Sequence, residues 1–197
     1  MKKILLASKN SDKVKEIRLI LKNLPLEILS LADFDEMPDA VENGATFEEN
    51  ALIKARFFSE RTGLAALADD SGLEVDALNG LPGVHSARFA GYHADDITNN
   101  QKLLDELKKI GVKESAAAYR CAMAFVDTDG TEFVTHGKIG GTIKTVAKGS
   151  GGFGYDPYFY IDAQRTMAQL SVDEKNLISH RGNALREMAL KLQERFT

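Results

Sequence analysis

The sequence predicts an α/β protein with a mixed sheet, and its periodicity carries most of that reading. Short apolar runs of strand character alternate along the chain with segments of helical periodicity, the arrangement that packs helices on a sheet. A hairpin signal interrupts the alternation. The apolar run from Ala116 to Val126 turns through Asp127-Thr128-Asp129-Gly130 into Phe133 to His136, so at least one strand pair is antiparallel.

In chain order, Ile4 to Ala7 reads as a first strand. Asp12 to Lys22 reads as a helix with Val14, Ile17, Ile20 and Leu21 on its apolar face. A second helix begins at Thr46, whose hydroxyl can cap it while Glu49 reaches back in a Thr-x-x-Glu box, and it stops before Gly63. Its buried stripe is Phe47, Ala51, Ala55 and Phe58. The apolar run Leu64 to Ala68 predicts a buried strand that ends at Asp69-Asp70-Ser71-Gly72. A third helix spans about Asp96 to Ile110 and stops at Gly111. After the glycine-rich segment Gly149 to Pro157, a short aromatic strand precedes C-terminal helices, the last from about Asn183 to Phe196.

The 197 residues suffice for one sizeable core and read as a single domain, 1–197. With 44% hydrophobic and 27% charged residues the composition is that of an ordinary globular chain, and no apolar run approaches the length of a membrane span. The basic opening Met1-Lys2-Lys3 meets polar residues after a few apolar ones, which favours a first strand over a signal peptide. One cysteine, Cys121, has no internal partner for a disulfide and sits in an alternating apolar run, so it is expected in the core of a protein from a reducing compartment. A net charge of -4 gives no general attraction to nucleic acid; a polyanion would have to be held by a local cluster of cations.

Several segments carry candidate chemistry. Asp69 and Asp70 stand together where a strand is expected to end, and two such anions call for a hard cation or a lysine; an Asp-Ser-Gly turn that hydrogen-bonds its own backbone would explain them equally. Ser8, Lys9, Asn10, Ser11, Asp12 and Lys13 join the first strand to the first helix, where N–H groups, the helix dipole and two lysines would suit a phosphate. The segment lacks the spaced glycines of a Walker loop, and a capped helix with solvated lysines is its simpler account. Glu42 lies in a polar loop, and Lys54 about two turns from Thr46 could reach a phosphate or point to water. In Gly151 to Pro157 the glycines around Phe153 leave an aromatic face for stacking on a base, unless that ring is core. Ser179, His180 and Arg181 offer donors, with Lys175 nearby, although a Ser179 cap beside a surface arginine is the plainer reading.

Taken together these pieces resemble one family. Ser8-Lys-Asn-Ser-Asp-Lys13, Thr46-Phe-Glu-Glu-Asn50 with Lys54, Ala68-Asp-Asp-Ser71-Gly72, Gly80-Leu-Pro-Gly83 with Ser86 and Arg88, Gly151-Gly-Phe-Gly-Tyr-Asp-Pro157 and Ser179-His-Arg-Gly182 are similar, in the same order, to the inosine triphosphate pyrophosphatases. The resemblance implies a long mixed β-sheet flanked by helices, two lobes with an active-site cleft between them, a homodimer and a cytoplasmic location. It implies Mg2+ as cofactor and hydrolysis of ITP, dITP and XTP to the monophosphate and pyrophosphate, which clears the nucleotide pool. Carried over, Ser8 to Lys13 and Lys54 hold the triphosphate; Glu42 and Asp70, with Asp69, bind the metal, and Asp70 is also the base for water. Ser71, Phe153, Gly154, Tyr155, Asp156, Lys175, His180 and Arg181 contact the nucleotide, with Phe153 under the base. Donors from His180 or Arg181 would favour a 6-oxo purine over adenine. A Maf-type pyrophosphatase would not be expected to carry Ser179-His180-Arg181, and a nucleic-acid-binding protein would show a basic stripe that this chain lacks.

Overall fold

A computed structural model describes residues 1–34 and 37–197. Its elements run β1 (Lys2–Leu6), α1 (Ser11–Leu21), β2 (Leu26–Ser30), α2 (Phe47–Thr62), β3 (Ala65–Val75), α3 (Asp96–Lys109), β4 (Glu114–Val126), β5 (Glu132–Lys144), β6 (Phe159–Tyr160), α4 (Val172–Ile178) and α5 (His180–Phe196). The six strands lie in the order β2-β1-β3-β4-β5-β6. β1 is parallel to both β2 and β3, whereas β5 and β6 are antiparallel, so the sheet is mixed as expected. Among the described residues no helix is long and apolar enough to cross a membrane.

The chain divides into two compact units. The first comprises Met1–Asp70, Cys121–Gly137 and His180–Thr197; the second comprises Ser71–Arg120 and Lys138–Ser179.

In the first unit the inner strand segments 4–6 of β1, 65–69 of β3 and 121–126 of β4 are buried on both faces, and their side chains alternate between two cores as strand geometry requires. Ile4 and Leu6, Ala65 and Leu67, and Cys121, Met123 and Phe125 pack with Ile17 and Leu21 of α1 and with Leu185, Met188 and Leu192 of α5. The intervening Leu5 and Ala7, Ala66 and Ala68, and Ala122, Ala124 and Val126 pack with Ala51, Ala55 and Phe58 of α2. Alanines on this second face leave room for α2 to lie close to the sheet. In the same unit α5 meets β5, where Thr135 Oγ1 donates to the Ala184 carbonyl at 2.8 Å. A Cβ on Gly137 would stand 1.8 Å from the His180 carbonyl oxygen, so only glycine admits the first turn of α5 here. The second unit has its own core of Leu73, Val75, Leu103, Leu107, Tyr119, Ile143, Phe159 and Met167.

The helix signals translate into observed caps. Asn10 caps α1 by accepting from the Asp12 and Lys13 amides, and Thr46 caps α2 by accepting from Glu49 N–H. Glu49 reaches back one residue further than a capping box requires, to the Ala45 amide at 2.6 Å. Gly63 closes α2 with φ 64°, a conformation that glycine takes without strain.

Four elements differ from expectation, one of them β5, expected to end at His136 and running on to Lys144. β2 carries too short a pattern to stand out, and it pairs with β1 along its whole length. α5 begins at His180 rather than Asn183, because Gly182 is helical and buried instead of marking a break. Most consequential, β3 does not end at Asp69: it runs on through Asp70, Ser71 and Gly72 to Val75, so the acidic pair lies inside a strand and forms no turn.

Candidate active site

That continuity of β3 decides the geometry of the acidic pair. Successive residues of a strand point to opposite faces. Asp69 follows Ala65 and Leu67 onto the face covered by α1 and α5, while Asp70 follows Ala66 and Ala68 onto the face covered by α2. The hydrogen bonds agree. Asp69 Oδ2 accepts from Lys13 Nζ of α1 at 3.0 Å and from Arg181 Nε of α5 at 3.2 Å. Asp70 Oδ2 accepts from Asn50 Nδ2 of α2 at 3.1 Å.

The two carboxyls consequently titrate apart. Burial pushes Asp69 upward, but the charges of Lys13, Arg181 and Lys54 overcome it and hold this carboxyl far below the usual range. Burial also pushes Asp70 upward, and here Lys54, Lys13 and the Asn50 amide do not fully offset it, so its affinity for a proton stays raised. Paired acids with separated proton affinities are the arrangement expected where one carboxylate is a fixed anion and the other handles a proton.

Around Asp69 a buried ion network has formed. Arg181 is 1% exposed and its Nη1 donates to Glu16 Oε2 at 2.7 Å. Glu16, itself buried, was not singled out from the sequence. Its partner lies 165 positions away in the chain. Arg181 is therefore no surface arginine: its guanidinium is packed between two carboxylates. Asp69 likewise has its Oδ2 engaged by two cations on the face opposite Asp70.

On the other face, Asn50 links two parts of the site. Its Oδ1 accepts from the Gly44 amide at 2.8 Å while its Nδ2 holds Asp70, so the loop after Glu42 is tied to the carboxylate. Lys54, one turn along α2, lies 3.0 Å from Glu42 Oε2 and donates to the Asp69 carbonyl at 3.1 Å. Burial works against its charge, but Glu42, Asp69 and Asp70 raise its proton affinity overall, so it remains a cation. In the sequence Asn50 enters through the Thr46 to Asn50 segment of the resemblance, with no role of its own. Its complete burial distinguishes it.

The segment from Ser8 to Lys13 is a capped start of α1. Asn10 occupies two of the helix amides, Ser8 Oγ accepts from the Asn10 amide at 3.2 Å, and Lys9 pairs at the surface with Asp39 at 2.7 Å. Ser11 is exposed, and Asp12 pairs with Lys15 at 3.2 Å. Lys13 departs from the solvated-lysine alternative, since it reaches the buried Asp69. His180 is buried at the head of α5.

In the second unit, the glycine-rich loop forms a compact aromatic platform. Phe153 is half-buried, and Lys175 Nζ lies 4.2 Å from its ring centroid. Asp156 Oδ2 accepts from the Phe153 amide at 3.1 Å and from Lys175 Nζ at 2.8 Å, fixing backbone and cation together. Gly152 has φ 72° and Gly154 φ 64°, so the positions on either side of Phe153 both need glycine. Tyr155 is an anchor: its hydroxyl donates to the Ser86 carbonyl at 2.8 Å in the interior. Ser71 continues β3 and is half-buried.

Residues 4–191 match the Ham1 family, which covers all the segments above. The chain belongs to the Ham1 family. A dITP/XTP pyrophosphatase of Geobacter sulfurreducens is 48% identical over 94% of this chain and 94% of its own length. One from Bacillus anthracis is 45% identical over 100% of this chain and 98% of its own. Among solved structures, a HAM1 protein from Coxiella burnetii superposes with a TM-score of 0.89 at 43% identity, covering 98% of this chain and 100% of that one. The family's fold is therefore the fold described here.

Proposed function

We propose that this chain hydrolyses dITP, XTP and ITP to the nucleoside monophosphate and pyrophosphate, with Asp70 as the base for the attacking water. The observation that carries the mechanism is the separation of Asp69 from Asp70 by strand alternation, which leaves a buried fixed anion on one face and a proton-accepting carboxylate on the other. The substrate class is supported by relatives that are dITP/XTP pyrophosphatases over nearly the full length of the chain.

In this reading Asp70 takes a proton from water as the water oxygen bonds to the α-phosphorus. The bond from that phosphorus to the bridging oxygen breaks, and pyrophosphate leaves with the electron pair. Lys13 and Lys54 supply positive charge for the triphosphate, and Asp69 with Glu16 keeps Lys13 and Arg181 in place. No serine or cysteine nucleophile is needed; burial pushes the Cys121 thiol up to about 12, well outside thiolate chemistry. Phe153 would stack on the base, with Lys175 and Asp156 holding its ring.

Magnesium suits the donors present. Glu42 and Asp70 offer hard carboxylate oxygens, and Mg2+ typically takes one or two carboxylates with phosphate oxygens and water. We assign it to Glu42 and Asp70, where it would supply Lewis-acid neutralisation of the phosphate charge. We propose a homodimer and a cytoplasmic location as well, the expectations that the resemblance carries. No basic stripe supports a direct nucleic-acid partner.

Incubation with dITP, XTP, ITP, ATP and dTTP in the presence of Mg2+, followed by product analysis, tests the reading. Monophosphate and pyrophosphate from the first three are expected. Release of orthophosphate alone, or equal rates on ATP, would overturn it.

A further inference from the structure

The loop that carries Phe153 is gripped from outside its own sequence by the first turns of α3. An acidic residue in a first turn ordinarily serves the helix dipole. Asp95 already caps this helix, accepting from the Thr98 amide at 2.8 Å. Asp96, though exposed at the surface, instead accepts from the Gly154 amide through Oδ2 at 2.6 Å. One turn on, Asn100 donates from Nδ2 to the Gly154 carbonyl at 2.8 Å and to the Asp96 carbonyl at 2.8 Å. Both backbone polar groups of Gly154 are thus held by two side chains spaced i, i+4 on one helix face. Asn100 is 9% exposed, and its Oδ1 has no hydrogen-bond partner among the described residues. The fold leaves an acceptor unpaired there while the two N–H bonds are kept.

Gly154 lies between Phe153 and Tyr155, at φ 64°, in a stretch with no regular ladder to fix its peptide planes. With Asp156 holding the Phe153 amide on one side, the α3 pair holds the next residue on the other. We propose that Asp96 and Asn100 are positioning residues that set the orientation of the Phe153 ring for the purine base, acting through Gly154 without touching the nucleotide. This rests on the reading of Phe153 as the base platform. Neither residue belongs to the segments that carry the resemblance, and from the sequence Asp96 is only a helix start.

Steady-state kinetics on XTP and dITP with Asp96→Ala, Asp96→Asn, Asn100→Ala, Phe153→Ala and the double variant Asp96→Ala/Phe153→Ala test it. Loss of a hydrogen bond to a carboxylate should raise KM about five-fold in Asp96→Ala with kcat changed less than about two-fold. Asp96→Asn keeps an acceptor and should recover most of the loss. Asn100→Ala should resemble Asp96→Ala. In the Phe153→Ala background the Asp96 substitution should add almost nothing, since the ring it positions is gone. Amide exchange at Gly154 should be faster in Asp96→Ala. A wild-type KM for Asp96→Ala beside a raised KM for Phe153→Ala overturns the inference alone, as does full additivity in the double variant. An unchanged KM in Phe153→Ala overturns the platform reading and this inference with it.

Discussion

The two units solve the problem of holding a polar group in place by opposite means. The first buries full charges: Glu16, Arg181 and Asp69 alternate in sign in the interior and end on the half-buried Lys13, joined by bonds of 2.7 to 3.2 Å. The second shapes a loop with glycines and backbone hydrogen bonds, using one buried ion pair, Lys175 with Asp156, to steady a ring. A buried charge network is rigid because breaking any member strands another charge in low dielectric. A loop pinned at its peptide groups can relax one bond at a time. The difference suits the proposed division of labour, in which phosphate chemistry needs fixed charge and base recognition needs an oriented face.

The largest expected effect breaks the charged side of the comparison. Arg181→Ala leaves Glu16 and Asp69 buried without their shared cation, and should destabilise the protein by about 3 to 5 kcal/mol. Urea unfolding measures it. A loss below about 1 kcal/mol, typical of a surface pair, would show that the network is solvated. Lys175→Ala in the second unit should lose less, because Asp156 keeps its bond from the Phe153 amide.

Next comes chemistry. Asp70→Asn retains size and the contact to Asn50 but removes the proton acceptor, so kcat should fall by about two orders of magnitude or more with melting temperature little changed. Near-normal turnover at saturating Mg2+ would remove Asp70 from the base role. The same substitution at Asp69 should instead show chiefly as lost stability, because Lys13 and Arg181 lose their counter-charge.

These contrasts also show what the sequence can carry. The cap of α2, the stop at Gly63, α3 up to Gly111 and the Asp127 to Gly130 turn were legible because each depends on neighbours in the chain. The course of β3 was not. A polar Asp-Asp-Ser-Gly run has the composition of a turn, and the groups that hold its first two residues, Lys13 of α1, Asn50 and Lys54 of α2 and Arg181 of α5, are distant in the chain. The same holds for β5, expected from Phe133 to His136 and found to run on to Lys144; Gly137 and Gly141 permit close approach of α5 and β6. For the site, the residue types were legible and their partners were not. Glu16, Asn50 and Asp96 act on groups at least 20 positions away, a distance at which periodicity says nothing.

On the aromatic side, Phe153→Ala should weaken nucleotide binding by about 1 to 3 kcal/mol for every base tested, because stacking tolerates any ring. Titration with XTP and ATP checks it. A loss confined to one base would mean that Phe153 reads base edges through its loop and is not a platform.

The smallest effect per step is acid titration, and it sharpens the charged side alone. Asp69 has its proton affinity lowered in the folded protein: burial opposes ionisation, but Lys13, Arg181 and Lys54 prevail. A carboxyl depressed in this way contributes stability that is complete above its unfolded value, near 4, and is lost as pH falls below that value. The expected slope from this one group is at most about 1.4 kcal/mol per pH unit in that range. Asp127 and Asp129 in the same unit are lowered too, Asp129 to about 2, so unfolding free energy should fall with acid even without Asp69. The informative quantity is the difference in slope. Unfolding measured between pH 5 and 3 should be less pH-dependent in Asp69→Asn than in the wild type, by an amount that grows toward the acid end. Carboxyl chemical shifts give the same answer without a substitution, since the Asp69 signal should stay that of a carboxylate below pH 3. An Asp69 carboxyl that protonates near pH 4, or equal slopes in the two proteins, would mean that the buried cations do not hold it ionised, and the contrast between the units would reduce to one of packing.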